Sequence, residues 1–273
     1  MSLPACSLES DLKEPSDIRV RAEGDVVFLT IDRSDEGNRL TAASLTHLKR
    51  LASELACDER TNCVVITGAG EQHFSLGIFN AELRACYSKA DILKIVRLAN
   101  EAFDLLEALP QLVIGALNGA VRAGGGELAL ACDFRLCASH ATLGFHEMSY
   151  GCFPGAGAPV RLSRLIGAGR ALEIMATGRE VMADEMLRMG LVTGIEPAHA
   201  LQERIRTMAV QIAAKPPLGP RGAKRVARLQ ATAGDDAAHQ LSWALREALE
   251  YSEDVDEAIA AHREQRAGRY RGC

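Results

Sequence analysis

Runs of β-branched and apolar residues alternate with stretches in which apolar positions recur every three or four residues, up to about residue 195. Val26-Val27-Phe28-Leu29-Thr30-Ile31 and Cys63-Val64-Val65-Ile66-Thr67 predict buried strands. So do Val113-Ile114-Gly115-Ala116-Leu117 and Phe134-Arg135-Leu136-Cys137-Ala138. Between them, Thr41 offers an N-cap to a helix carrying Leu45, Leu48, Ala52 and Leu55 on one face. Residues 92–108 predict a second amphipathic helix, with Ile92, Ile95, Leu98, Phe103, Leu105 and Leu106 toward the core. Glu127–Cys132 opens a short buried helix, and another begins near Pro159. Strands alternating with helices predict an α/β layered architecture. From His199 onward the pattern is helical, broken by Pro216-Pro217 and Gly234. The chain is therefore read as a loose polar tail over 1–17, an α/β core over 18–198 and a helical region over 199–273.

Composition narrows the class. A chain of 273 residues can bury one large core with an appendage. Only 4% of residues are aromatic, so Ala, Leu, Val, Ile and Met must fill that core. A net charge of −5 argues against general nucleic-acid binding. One local exception is the run Arg204, Arg206, Lys215, Arg221, Lys224, Arg225 and Arg228, which no acid interrupts. It reads either as solvated helix faces or as a landing place for phosphates. The eight cysteines, at 6, 57, 63, 86, 132, 137, 152 and 273, show neither a CxxC pair nor metal-ligand spacing, which predicts reduced thiols and no metal. Glu9, Asp11, Glu14 and Asp17 are residues a mitochondrial transit peptide avoids, and no apolar run approaches the length of a membrane span. The expectation is a cytoplasmic protein with no membrane partner.

Two carboxylates carry the candidate chemistry. Glu127 follows Gly124-Gly125-Gly126 and is the only charge between Arg122 and Asp133. Glu147, after Gly144-Phe145-His146, is the only acid between Asp133 and Glu173. A carboxylate in small, apolar surroundings is costly to bury unless it is paired or used. Two of them beside glycine-rich turns suggest an acid/base pair. Glycines between a strand and a helix let the backbone approach a ligand, and the first helical amides are left to bind an oxyanion or phosphate. The alternative for such a run is a tight turn packing strand on helix. A nucleotide fold is weaker still, because Gly-x-Gly-x-x-Gly is absent and Gly167-Ala168-Gly169 lacks its third glycine. Further turns lie at Phe74-Ser75-Leu76-Gly77-Ile78-Phe79 and Phe153-Pro154-Gly155-Ala156-Gly157-Ala158-Pro159.

In this order the segments resemble the crotonase family of enoyl-CoA hydratases and isomerases, over roughly residues 18–270. Phe74–Phe79 is similar to the family's first oxyanion segment, and Asn118–Ala129 to its second. Cys132-Asp133, Gly144–Glu147 with Pro154–Gly157, Thr177-Gly178-Arg179 and Gly190-Leu191-Val192 continue the pattern. The resemblance implies a spiral of repeated ββα units and C-terminal helices that build a homotrimer or a dimer of trimers. It implies an acyl-CoA or acyl-pantetheine substrate, with coenzyme A as carrier and no further cofactor. Backbone N–H groups of Ile78 and Gly124 would form the oxyanion hole, a donor typically worth about 3–4 kcal/mol of barrier. Glu127 would activate a water and Glu147 would protonate the α-carbon. Phe79 falls in the stretch near the adenine end, Ile78, Asn80 and Gly124 count with it as substrate-binding residues, and Arg39 and Lys224 fall near the CoA phosphates. Three residues depart from the usual pattern. Phe79 replaces an Asp, Arg122 precedes the second oxyanion turn, and His146 precedes the second acid, as a pocket wall or as a group tuning Glu147. Hydration is the first expectation. Double-bond isomerisation through Glu147, other thioester chemistry on the same fold, and an RNA-binding or scaffold role through residues 204–228 are the alternatives.

Overall fold

A computed structural model describes residues 17–273 together with Leu8 and Leu12. The predicted tail over 1–17 therefore lies almost wholly outside the described residues. β1 (Ile18–Glu23) pairs antiparallel with β2 (Val26–Ile31), which forms where the β-branched run predicts it. Beyond β2 the sheet is parallel: β3 (Cys63–Gly68), β5 (Leu112–Leu117), β7 (Phe134–Ala138) and β10 (Gly194–Glu196), in the order β1-β2-β3-β5-β7-β10. Val65 lies opposite Phe28 on one side and Ile114 on the other. Every residue of β3 is buried, which is why it reads as an unbroken apolar run rather than an alternation.

Four very short strands make a second sheet: β4 (His73–Ser75), β6 (Ala120–Arg122), β8 (Thr142–Gly144) and β9 (Val181–Met182), in that order. Each of β3, β5 and β7 passes into its short companion β4, β6 or β8 and then into helix, so the chain winds as a ββα spiral. Asn118 locks one corner. It is 4% exposed, its Oδ1 accepts from Gly68 N at 3.1 Å, and its Nδ2 donates to the carbonyls of Gly70 and His73. With every polar group satisfied, a buried amide holds a corner without penalty.

The helices cover this frame. α1 (Ala42–Ala56) is capped by Thr41, whose side chain accepts from Ser44 N, as expected. α2 (Ala81–Cys86) precedes α3 (Lys89–Ala108), which packs Ile92, Ile95, Ala99, Phe103 and Leu106 inward. α4 (Gly124–Ala131) is buried along its whole length and starts at Gly124, three residues before the predicted Glu127. α5 (Ala158–Ile166), α6 (Ala168–Thr177) and α7 (Ala183–Met189) follow. From Ala198 the chain is helical: α8 (Ala198–Ala213), α9 (Leu218–Ala233), α10 (Asp235–Glu250) and α11 (Glu253–Glu264). Leu201, Ile205, Ala209 and Ala213 of α8 belong to the main core, so this first helix is not a detached appendage.

Six described cysteines are free, but Cys86 is disulfide-bonded, so the expectation of reduced thiols throughout does not hold there. The basic run over 204–228 is largely spent internally. Arg204 pairs with Glu196, Arg206 with Glu23, and Arg221 donates to the carbonyls of Glu59 and Thr61. Among the described residues, no helix is long and apolar enough to cross a membrane.

Candidate active site

A cavity of about 680 Å³ opens between the β4–α2 turn, the start of α4 and the loop between β8 and α5. Among the described residues, Glu127 and Glu147 are the only acids that line it. Their environments differ. Glu127 is 3% exposed and sits in the first turn of α4, where the helix dipole favours negative charge. Its Oε1 accepts from the backbone N–H of Ala156 at 2.7 Å and of Ala158 at 3.1 Å, so Oε2 stays uncommitted. Burial raises its pKa, opposed by those two amides and by Arg161. Glu147 opens a 3-10 turn, Glu147–Tyr150, and its buried Oε2 finds no partner among the described residues. Burial first, and the Glu127 charge second, push its pKa up to about 7.

His146 lines the cavity, and a backbone hydrogen bond from it lowers the Glu147 pKa against the burial. Arg122 also lines the cavity. Its guanidinium is tied to the Thr142 carbonyl and hydroxyl, at 2.9 and 2.7 Å, and to Glu180.

The amides above the carboxylates come from two turns that touch. Gly77 has φ +87°, a conformation open to glycine, and a Cβ there would lie 3.0 Å from Gly124 N. Gly125 lies so close to β4 that a Cβ would meet Ser75 O at 2.4 Å. A Cβ on Gly124 would lie 3.5 Å from Ile78 N. The N–H groups of Ile78 and Gly124 thus stand side by side on the cavity wall, and neither has a backbone acceptor among the described residues. Ala123, which caps α4, holds φ 48° and ψ −126°, a sparsely populated combination for a residue with a side chain. Such strain costs about 1–3 kcal/mol and clusters at functional sites. Nothing in the local sequence announces it.

Arg39, Phe79 and Asn80 reach the cavity, each with a structural task as well. Arg39 donates to the carbonyls of Leu76 at 3.0 Å and Phe79 at 3.3 Å, bracing the turn that carries Ile78. Asn80 caps α2 by accepting from Leu83 N at 2.8 Å. Phe79 packs edge-on against Tyr87, with ring centroids 6.0 Å apart. Lys224 is not brought to the cavity. Its ammonium is buried against Asp133 Oδ2 at 2.7 Å and the Gln111 carbonyl at 2.8 Å, which is a structural pairing.

Sequence reasoning missed Arg161. Its side chain is 4% exposed and ties the Ala156 carbonyl at 2.8 Å to Glu107 and Asp104 of α3. It therefore fixes the loop whose amides hold Glu127. An arginine four residues after Gly155-Ala156-Gly157, among apolar neighbours, was the available signal.

A family model for enoyl-CoA hydratase/isomerase matches residues 21–272. The short-chain-enoyl-CoA hydratase of Clostridium acetobutylicum is 33% identical over 212 residues, 78% of this chain and 81% of that one. The crotonyl-CoA hydratase of Syntrophomonas wolfei is 33% identical over 210 residues, 77% of this chain and 80% of that one. A crystal structure of enoyl-CoA hydratase from Bacillus anthracis superposes with a TM-score of 0.90 at 34% identity, covering 94% of this chain and all of that one. The chain belongs to the enoyl-CoA hydratase/isomerase, or crotonase, family. It is an enzyme of that type, and the family acts on acyl-CoA thioesters.

Proposed function

We propose that this enzyme adds water reversibly to a 2-enoyl thioester, with Glu127 and Glu147 as base and acid. The observation that carries the reading is that two carboxylates line one cavity with different hydrogen-bond partners. Glu127 is held by two amides on Oε1, which leaves Oε2 to orient a water. Glu147 holds its proton up to about pH 7, which suits a group that must donate it. In hydration, Glu127 takes a proton from water as the oxygen bonds to the β-carbon. Glu147 gives its proton to the α-carbon, and the enoyl double bond is lost. The thioester oxygen carries the developing negative charge against the N–H groups of Ile78 and Gly124. One turnover leaves Glu127 protonated and Glu147 ionised, and proton exchange restores both. Dehydration of a 3-hydroxyacyl thioester follows the same steps in reverse.

Exposed apolar side chains on the C-terminal helices, Trp243 at 73% and Tyr251 at 85%, support a homotrimer or a dimer of trimers. The nucleic-acid alternative loses support with Arg204, Arg206, Arg221 and Lys224 of the basic run held by internal partners. Isomerisation through Glu147 alone leaves the amide-clamped Glu127 without a task. The test is absorbance of the enoyl-thioester band with crotonyl-CoA, beside a 3-enoyl-CoA of the same length. Loss of the band with crotonyl-CoA supports hydration. Growth of the band from the 3-enoyl thioester with no action on crotonyl-CoA rejects it in favour of isomerisation.

A further inference from the structure

Three guanidinium groups line the cavity, and two are committed: Arg39 to the carbonyls of the oxyanion turn, Arg122 to Thr142 and Glu180. Arg84, in the last turn of α2, is half-buried on the same wall, and its side chain has no hydrogen bond or ion pair among the described residues. A partly desolvated cation without an anion is costly, which is why such groups are nearly always paired. Glu147 is near enough to feel its charge. Ile92 and Val96 of α3 supply apolar wall beside it, suited to a short acyl chain.

We propose that Arg84 receives a carboxylate at the far end of the acyl chain, so that the preferred substrate is the 2-enoyl thioester of a short dicarboxylic acid. A guanidinium forks onto a carboxylate through two parallel hydrogen bonds, a geometry no methyl terminus can use. The rival anion is a phosphate of the carrier. Arg84 lines the same cavity as Glu147, which serves the α-carbon, and as the apolar Ile92 and Val96, which assigns it to the acyl end, whereas the pantetheine arm carries the phosphates away. The substrate class rests on the hydratase reading for its reaction but not for its binding, and the two are measured separately.

Binding is read first, by calorimetry with glutaryl-CoA and butyryl-CoA, neither of which can be hydrated. The parent enzyme is expected to bind glutaryl-CoA more tightly. Arg84→Gln is expected to cut the ratio of the two affinities about ten- to hundredfold, the scale of a charge-assisted hydrogen bond. Arg84→Lys, which keeps the charge without the fork, should fall between. An unchanged ratio in a folded Arg84→Gln enzyme overturns the proposal. Equal weakening of both ligands, abolished when pantetheine thioesters replace CoA thioesters, identifies a carrier phosphate and overturns it as well. Turnover of glutaconyl-CoA and crotonyl-CoA is read second. Failure to hydrate either, with the binding ratio still dependent on Arg84, would sink the hydratase reading and leave the carboxylate receptor standing.

Discussion

Glu127 and Glu147 face one cavity, and the first rests on two backbone amides while the second buries an oxygen that meets no polar partner among the described residues. Burial raises the pKa of both, and at the second the Glu127 charge adds to it. The pKa of Glu147 stands near 7 against an ordinary carboxyl value of 4.5.

A pH dependence follows from that difference. The folded protein binds a proton at Glu147 that the unfolded chain has released, so the stability this group contributes is present at low pH and lost as pH rises through about 7. Glu147→Gln is neutral throughout and escapes the loss. Its Tm relative to the parent should rise between about pH 5 and about pH 8, by about 2–4 °C for each kcal/mol recovered. Hydration needs the proton on Glu147, so kcat/KM should decline above about pH 7. Calorimetric Tm and rate profiles across that range check both. A Tm difference that shrinks with rising pH contradicts the assignment.

Lys224 is expected to matter for stability rather than for the carrier. Removing it strands Asp133, whose Oδ2 also accepts from Val113 N at 2.7 Å, in a buried setting. Breaking a buried pair from one side costs about 3–5 kcal/mol. Lys224→Ala should show that loss by denaturant unfolding, while the KM of the folded fraction for an acyl-CoA stays within about twofold. A large KM change at unaltered stability would return Lys224 to the phosphates.

Arg161 is a positioning residue, acting on Glu127 through the Ala156–Ala158 loop. Arg161→Met should destabilise by about 1–3 kcal/mol, since the Ala156 carbonyl loses its donor. It should also lower kcat more than it raises KM, because the base is misplaced rather than the ligand. Arg161→Lys, which keeps charge but not the three-way reach, should recover only part. A purely structural role would lower Tm and leave kcat of the folded enzyme unchanged.

How far these features were legible follows from length and context. β2 and β3 were readable because each is a β-branched and apolar run, interrupted only by a threonine and bounded by turn residues. The second sheet was not, since strands of two or three residues such as His73–Ser75 are too short to show an alternation. The start of α4 was misread because glycine is a poor helix former, yet Gly124–Gly126 are helical where Ser75 must pack against them. Glu127 and Glu147 stood out by isolation, a chemical signal that survives in one dimension. Arg84 did not, because a guanidinium on the cavity wall without a partner among the described residues is a fact of three dimensions.

The most direct test of the two-carboxylate mechanism is crotonyl-CoA hydration by Glu127→Gln and Glu147→Gln, each first shown to keep the parent circular dichroism spectrum. Gln preserves shape and the possibility of hydrogen bonding to the Ala156 and Ala158 amides, but neither takes nor gives the catalytic proton. Each single variant is expected to lose about 10²–10⁴-fold in kcat. The double variant should lose little more than the worse single, because the two act on one water in one step. A Glu127→Gln enzyme that hydrates crotonyl-CoA at the parent rate would contradict the mechanism and leave Glu147 as the only catalytic acid.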